Sequence, residues 1–167
     1  MIQENVLYSV INMLSKLFII LCFLSFILKA QKDIDLSSDS LLIRAKKVYQ
    51  NNPSLGYDYS QQAISKAVEE DSELNLGRAY EMLGISLDYL GQLDSALIYF
   101  EKSIAILKKQ NQQIYLARTY MSKANSLSLL SKNSEALTFY TKAHDIFKVE
   151  KSAKEEAIEV TLDLLKY

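Results

Sequence analysis

The sequence predicts an all-α fold, a stack of helical hairpins behind an N-terminal hydrophobic segment, and three observations predict it. First, the 167 residues include 4 Gly and 1 Pro, about 3% of the chain against roughly 12% in an average protein, too few for the turns of a β fold or for glycine-rich nucleotide loops. Second, the chain matches itself when shifted by 40 positions. Third, apolar residues within each copy recur at spacings of three and four, which marks a buried helical stripe. Composition excludes other classes. Hydrophobic residues at 49% and charged residues at 23% argue against wholesale disorder and against a polytopic membrane protein. A formal charge of -1 offers no electrostatic reason to seek phosphate backbones, so no nucleic-acid partner is expected. One Cys and one His cannot form a disulfide or a four-ligand zinc site within this chain.

Residues 17–28 are apolar except for Ser25 and lie between Lys16 and Lys29. A cationic flank, a short apolar run and the small Ala30 form the pattern of a secretory signal peptide, with cleavage between Ala30 and Gln31. Leu28 is larger than that cleavage pattern prefers. Two alternatives stay open. Apolar residues from Val6 onward extend the stretch to 6–28, enough for an uncleaved anchor with Lys16 inside it at a cost of about 2.5 to 3.5 kcal/mol; a start at Met13 would instead give a shorter signal. Segment 1–30 is therefore expected to engage the secretion machinery or the membrane. The rest is extracytoplasmic, periplasmic or secreted, after cleavage, or held by an anchor at 6–28. A linker at 31–39 leads to a helical domain at 40–167, with units of about 40–73, 74–112 and 113–152 and a terminal helix at 153–167.

The repeat defines these units. Leu76, Arg78, Tyr80, Ser86, Leu87, Leu90, Ala96, Leu97, Lys102 and Ile106 recur 40 places on as Leu116, Arg118, Tyr120, Ser126, Leu127, Leu130, Ala136, Leu137, Lys142 and Ile146. A weaker copy precedes them, with Gly56, Tyr59, Ala63 and Ile64 under Ala96, Tyr99, Ser103 and Ile104. Its leading helix, expected over 40–50, carries Arg44 and Lys47 where Gly84 and Leu87 fall later, the polarity of an end cap. Pro53 separates it from a helix over 54–70. In the second unit Tyr80, Leu83, Leu87 and Leu90 form one stripe and Ala96, Tyr99, Phe100, Ser103, Ile104 and Leu107 another. Gly91 is expected in the left-handed conformation between them, with Asp94 as the helix cap and Ser134 in that place one unit later. Neither stripe is wide enough to stand alone, so stacking must bury it.

Tyr80, Leu83-Gly84, Gly91, Ala96, Phe100 and Ser103, followed by Tyr120, Ala124, Ala136, Tyr140 and Ala143, resemble the tetratricopeptide repeat family. Lys123 and Ser131 depart from its Leu and Gly, and its closing proline is absent from both copies. A 40-residue period in place of 34 is similar to the extended repeats of many bacterial signalling proteins and implies longer helices. The resemblance implies a right-handed α-α superhelix of about three hairpins plus a C-terminal helix. It also implies that first helices line a concave groove for a peptide or partner protein. Transferred position by position, that surface comprises Arg78, Glu81, Ile85, Asp88 and Tyr89, then Arg118, Met121, Ser122, Asn125 and Leu129. Arg78 and Arg118 share a register and could pair with an acidic group, or Arg78 could bond Glu81 and Arg118 be solvated. The Lys and Asn by which chaperone-tail-binding members clamp a carboxylate are replaced here by Glu81 and Ile85, then Met121 and Asn125.

No catalytic, metal or cofactor residues are expected. His144 takes the place of Ile104 and Ile64, and only Asp145 stands beside it, so a packing role is expected. The run Glu69, Glu70, Asp71, Glu73 lacks the alternating ligands and central Gly of a calcium loop and reads as a solvated turn. The expected function is protein-protein interaction through the groove by a non-enzymatic, exported or anchored repeat protein. The alternative is a truncated or split sensor region of a membrane-bound histidine kinase or transcriptional regulator with such repeats.

Overall fold

A computed structural model of the chain describes residues 13–23 and 36–149. The described residues are all-helical, and the chain divides into two compact units, Met1–Leu36 and Ser37–Tyr167. In the first unit residues 13–23 are helical (α1), with Leu17, Phe18, Ile19 and Phe23 exposed. No described helix is long and apolar enough to cross a membrane. The Ala30/Gln31 cleavage site, the anchor's ends at 6–12 and 24–28, most of the linker and the terminal helix at 153–167 lie outside the described residues.

The second unit contains α2 (Ser38–Val48), α3 (Pro53–Glu69), α4 (Glu73–Tyr89), α5 (Leu93–Lys109), α6 (Gln113–Leu129) and α7 (Asn133–Val149). The last five are each 17 residues long and begin 20 residues apart. The forty-residue sequence period is thus two equal helix-plus-turn steps. Four turns repeat the same geometry. Asp71, Gly91, Asn111 and Ser131 have φ of 51°, 75°, 53° and 60°. The next residue's N–H reaches back to Ala67, Leu87, Leu107 and Leu127, respectively, at 2.9 to 3.0 Å. A left-handed residue with this bond satisfies carbonyls that a helix end leaves open, and so stops it sharply.

Caps differ from expectation in the later units. Helix α5 begins at Leu93 after Gln92, which makes no side-chain cap bond, and Asp94 lies in the first turn. Its charge there favours the positive helix N-terminus without capping it. Ser134 likewise falls inside α7. Ser37, Asn52 and Ser72 do cap, accepting from the N–H of Ser40, Leu55 and Asn75. Pro53 is the first residue of α3, where its missing N–H costs nothing.

The leading helix is offset by one residue. The α2–α3 connection has four residues, 49–52, where the others have three, and none of the four takes a positive φ. At an offset of 41 the buried Ser38, Leu41, Leu42 and Ala45 fall on the buried Ala79, Met82, Leu83 and Ser86. Arg44 and Lys47 are exposed, but α2 still buries its own apolar stripe.

Helices α2 to α7 each pack against their neighbours in this unit's sequence, and α4 additionally meets α2 and α6. Leu83, Leu87, Ala96 and Phe100 form one buried cluster, and Ile104, Leu107, Leu116, Tyr120, Leu127, Tyr140 and Phe147 contribute to a second. Close approach sets residue size at the crossings. A Cβ on Gly84 would stand 2.6 Å from the Phe100 ring, so only glycine lets α4 and α5 meet there. Ser60, Ser86, Ser103 and Ser126 are fully buried and hydrogen-bonded, which satisfies their hydroxyls between close helices.

Candidate functional site

First helices α2, α4 and α6 together wall a groove of about 490 Å³. Arg78, Glu81, Ile85, Asp88, Tyr89, Arg118, Met121, Ser122 and Asn125 line it, nine of the ten residues that the sequence places on this surface. Leu129 is not one of its walls and is 66% exposed. Residues at three- and four-residue spacing on one helix share a face, and helices in contact bring those faces side by side.

Seven further lining residues escaped the sequence reading: Leu42, Lys46, Tyr49, Gln50, Met82, Phe100 and Tyr115. Four of them belong to α2 and its C-terminal turn, which polarity and the one-residue offset hid. One signal was present, since Tyr49 and Tyr89 lie 40 residues apart. Their rings meet edge to face at 5.0 Å, a favourable aromatic geometry that continues the groove wall from one hairpin to the next.

Polar contacts between hairpins hold the groove's shape. Arg78 donates to Asp39 and to Asn75, both at 2.8 Å, and its guanidinium lies 5.1 Å from the centre of the Tyr115 ring. The bond to Asp39 joins α4 to α2, and the stacking on Tyr115 joins α4 to α6. Asn75 donates to the Ser38 hydroxyl at 2.8 Å. Glu70 accepts from the backbone N–H and hydroxyl of Ser38. The acidic run is therefore only partly the solvated turn expected: Glu69 pairs with Lys66 at 2.9 Å, while Glu70 receives free N-terminal groups of α2. Ser126 of α6 donates to Asp88 of α4, and the Tyr140 hydroxyl to Asn125.

The groove's electrostatics centre on Glu81. Burial pushes its carboxyl up to about 7, although Arg118, Arg78 and Lys46 all favour the charged form. Its side chain keeps some contact with solvent at the groove surface, so crowding by neighbouring atoms, not complete sealing, supplies the desolvation. Asp88 is also raised by burial, against the Ser126 hydrogen bond. Burial, with the neighbouring Tyr89, raises the Tyr49 hydroxyl. The three cations come one each from α2, α4 and α6, and all line the same groove.

On the flank of each later hairpin a lysine covers an aromatic pair. Lys102 lies 5.5 and 4.8 Å from the ring centres of Tyr80 and Tyr99, which stack at 6.0 Å. Forty residues on, Lys142 lies 5.8 and 4.7 Å from Tyr120 and Phe139. These repeated contacts join α4 to α5 and α6 to α7, and none of the six side chains lines the groove. His144 is half-buried, with Nδ1 3.5 Å from Asp145 Oδ1. No family model matches the chain, and no curated protein matches it.

Proposed function

We propose that this chain is a tetratricopeptide-type helical repeat protein, exported or membrane-anchored through residues 1–30, that binds another protein in the groove of its first helices. One observation carries the reading: nine of the ten residues that the repeat resemblance places on the binding surface, all on α4 and α6, line one groove, which α2 also walls. The equal helices, the 20-residue spacing and the repeated left-handed turns support stacking of the hairpins as a solenoid. Tyrosine, methionine and arginine side chains provide the amphipathic anchors typical of protein interfaces. Recognition works by shape together with a few polar anchors on helices tied by the Arg78, Asn75 and Ser126 bonds.

A pull-down compares wild type with an Arg78→Glu/Arg118→Glu variant whose folding is checked by circular dichroism. The folded variant loses a partner that wild type retains; unchanged retention removes the groove assignment. For the N-terminal segment, N-terminal sequencing of the exported product is expected to begin at Gln31. Intact Met1 in a membrane fraction would instead support the anchor.

A further inference from the structure

Three cations and one carboxylate meet in the groove in an arrangement that suits an incoming acid. Lys46 enters from α2, Arg78 from α4 and Arg118 from α6, and all three act on Glu81 in the middle helix. The other titratable groups on the groove walls are Tyr49 from α2, Asp88 and Tyr89 from α4, and Tyr115 from α6; α5 contributes the apolar Phe100. Asp88 lies seven residues from Glu81, about 10 Å along the helix axis, and is engaged by Ser126. Arg78 is also engaged by Asp39. Glu81 is thus the resident carboxylate of the cationic centre.

We propose that the groove takes an acidic side chain of an extended peptide between Lys46, Arg78 and Arg118, and that Glu81 accepts a proton as this carboxylate enters. The inference rests on the groove being a binding surface. The peptide carboxylate gains charge-assisted hydrogen bonds with guanidinium and ammonium groups. A basic side chain would meet three like charges, and a purely apolar one would leave them without a ligand partner while desolvating them. Repulsion from a second carboxylate raises the proton affinity of the first, so one of them takes up a proton more readily. Glu81 does so at little cost, because burial has already brought it to about 7. In the balanced step the peptide arrives as carboxylate, one proton passes from solvent to Glu81, and no covalent bond between heavy atoms changes.

The sign of the pH dependence follows. Below about pH 7 Glu81 is already largely neutral in the free protein, so affinity is flat. Above it, binding must draw a proton from increasingly dilute supply, and affinity falls by up to about tenfold per pH unit for one linked proton.

The test selects phage-displayed random dodecapeptides on the full chain at about pH 6 and measures the selected peptides by fluorescence anisotropy up to about pH 8.5. Expected are sequences enriched in Asp and Glu, weakening about tenfold or more across the upper range. Glu81→Gln, checked for wild-type folding, loses this dependence, and replacing the peptide's acidic residue by its amide removes it as well. Selection of basic or purely apolar peptides that bind in the groove overturns the acidic assignment alone. Affinity that stays level with pH in wild type, or that falls equally in Glu81→Gln, overturns proton uptake by Glu81. Selected peptides that bind a folded Arg78→Gln/Arg118→Gln variant unchanged overturn the groove reading itself, and failure to enrich any sequence overturns both.

Discussion

The Lys123 ammonium lies 3.9 Å from the centre of the Phe139 ring and pairs with Glu101. Lys123 is 7% exposed at a position where the repeat pattern has leucine. Its aliphatic stem fills the apolar place while the charge reaches α5 and the ring on α7, so the departure from pattern is accommodated without an unpaired charge.

A leucine there would keep the volume and remove a nearly buried charge. Lys123→Leu is expected to raise the unfolding free energy by about 1 kcal/mol, because its partner Glu101 is exposed and loses little. Lys123→Ala leaves a cavity and is expected to lower it by about 2 kcal/mol. Urea unfolding of the two variants checks both directions; a large loss from the leucine would show that the ion pair dominates.

The turns offer a second test. Ser131 pays for a left-handed backbone, at φ 60°, that Gly91 adopts freely one hairpin earlier. Ser131→Gly is expected to stabilise by about 1 kcal/mol and Gly91→Ala to destabilise by a similar amount. Equal melting temperatures for wild type and both variants would contradict the shared turn geometry.

At the α4–α5 crossing, Gly84→Ala places a methyl 2.6 Å from the Phe100 ring. A loss of about 2 kcal/mol is expected. In the Phe100→Leu background the added methyl should cost less than it does alone, whereas additive losses would mean that the two sites do not touch.

These positions also show how far the sequence was legible. Gly84, Gly91 and the stripe Tyr80, Leu83, Leu87 announced the second hairpin because helical sterics impose one residue type at each place. The groove face of α4 and α6 was legible only through the resemblance to the repeat family, since periodicity fixes which residues share a face and not which face binds. What escaped was set by the chain's exceptions. One extra residue between α2 and α3 shifted the register that placed Arg44 and Lys47, and the polar leading helix, without the aromatic and glycine signatures of the later units, did not announce Lys46 and Tyr49 as groove residues. Asp71, Asn111 and Ser131 carry no glycine to advertise their left-handed turns. The link from Glu70 to Ser38 joins residues 32 apart, a separation no local pattern encodes.

Glu81 predicts a pH dependence of stability. Its folded-state pKa, about 7, is raised from an ordinary 4.5, so the folded chain holds more protons between these values than the unfolded one. Stability from this group is fully present below about 4.5 and is lost as pH rises through about 7. Allowing for partial solvent contact, wild type should lose about 2 kcal/mol relative to Glu81→Gln between pH 5 and 8. Parallel unfolding profiles of the two proteins would contradict the assignment.

Groove binding is tested most directly by site-specific photocrosslinking from the full chain. A crosslinker is placed at Met121 or Ser122 in the groove, or at Ile98, which is 59% exposed on α5 outside it. The groove positions are expected to capture a partner whose yield falls at least about tenfold with Arg78→Glu/Arg118→Glu, a change of about 1.4 kcal/mol, while Ile98 captures none. Capture from Ile98 with none from Met121 or Ser122 would contradict the account.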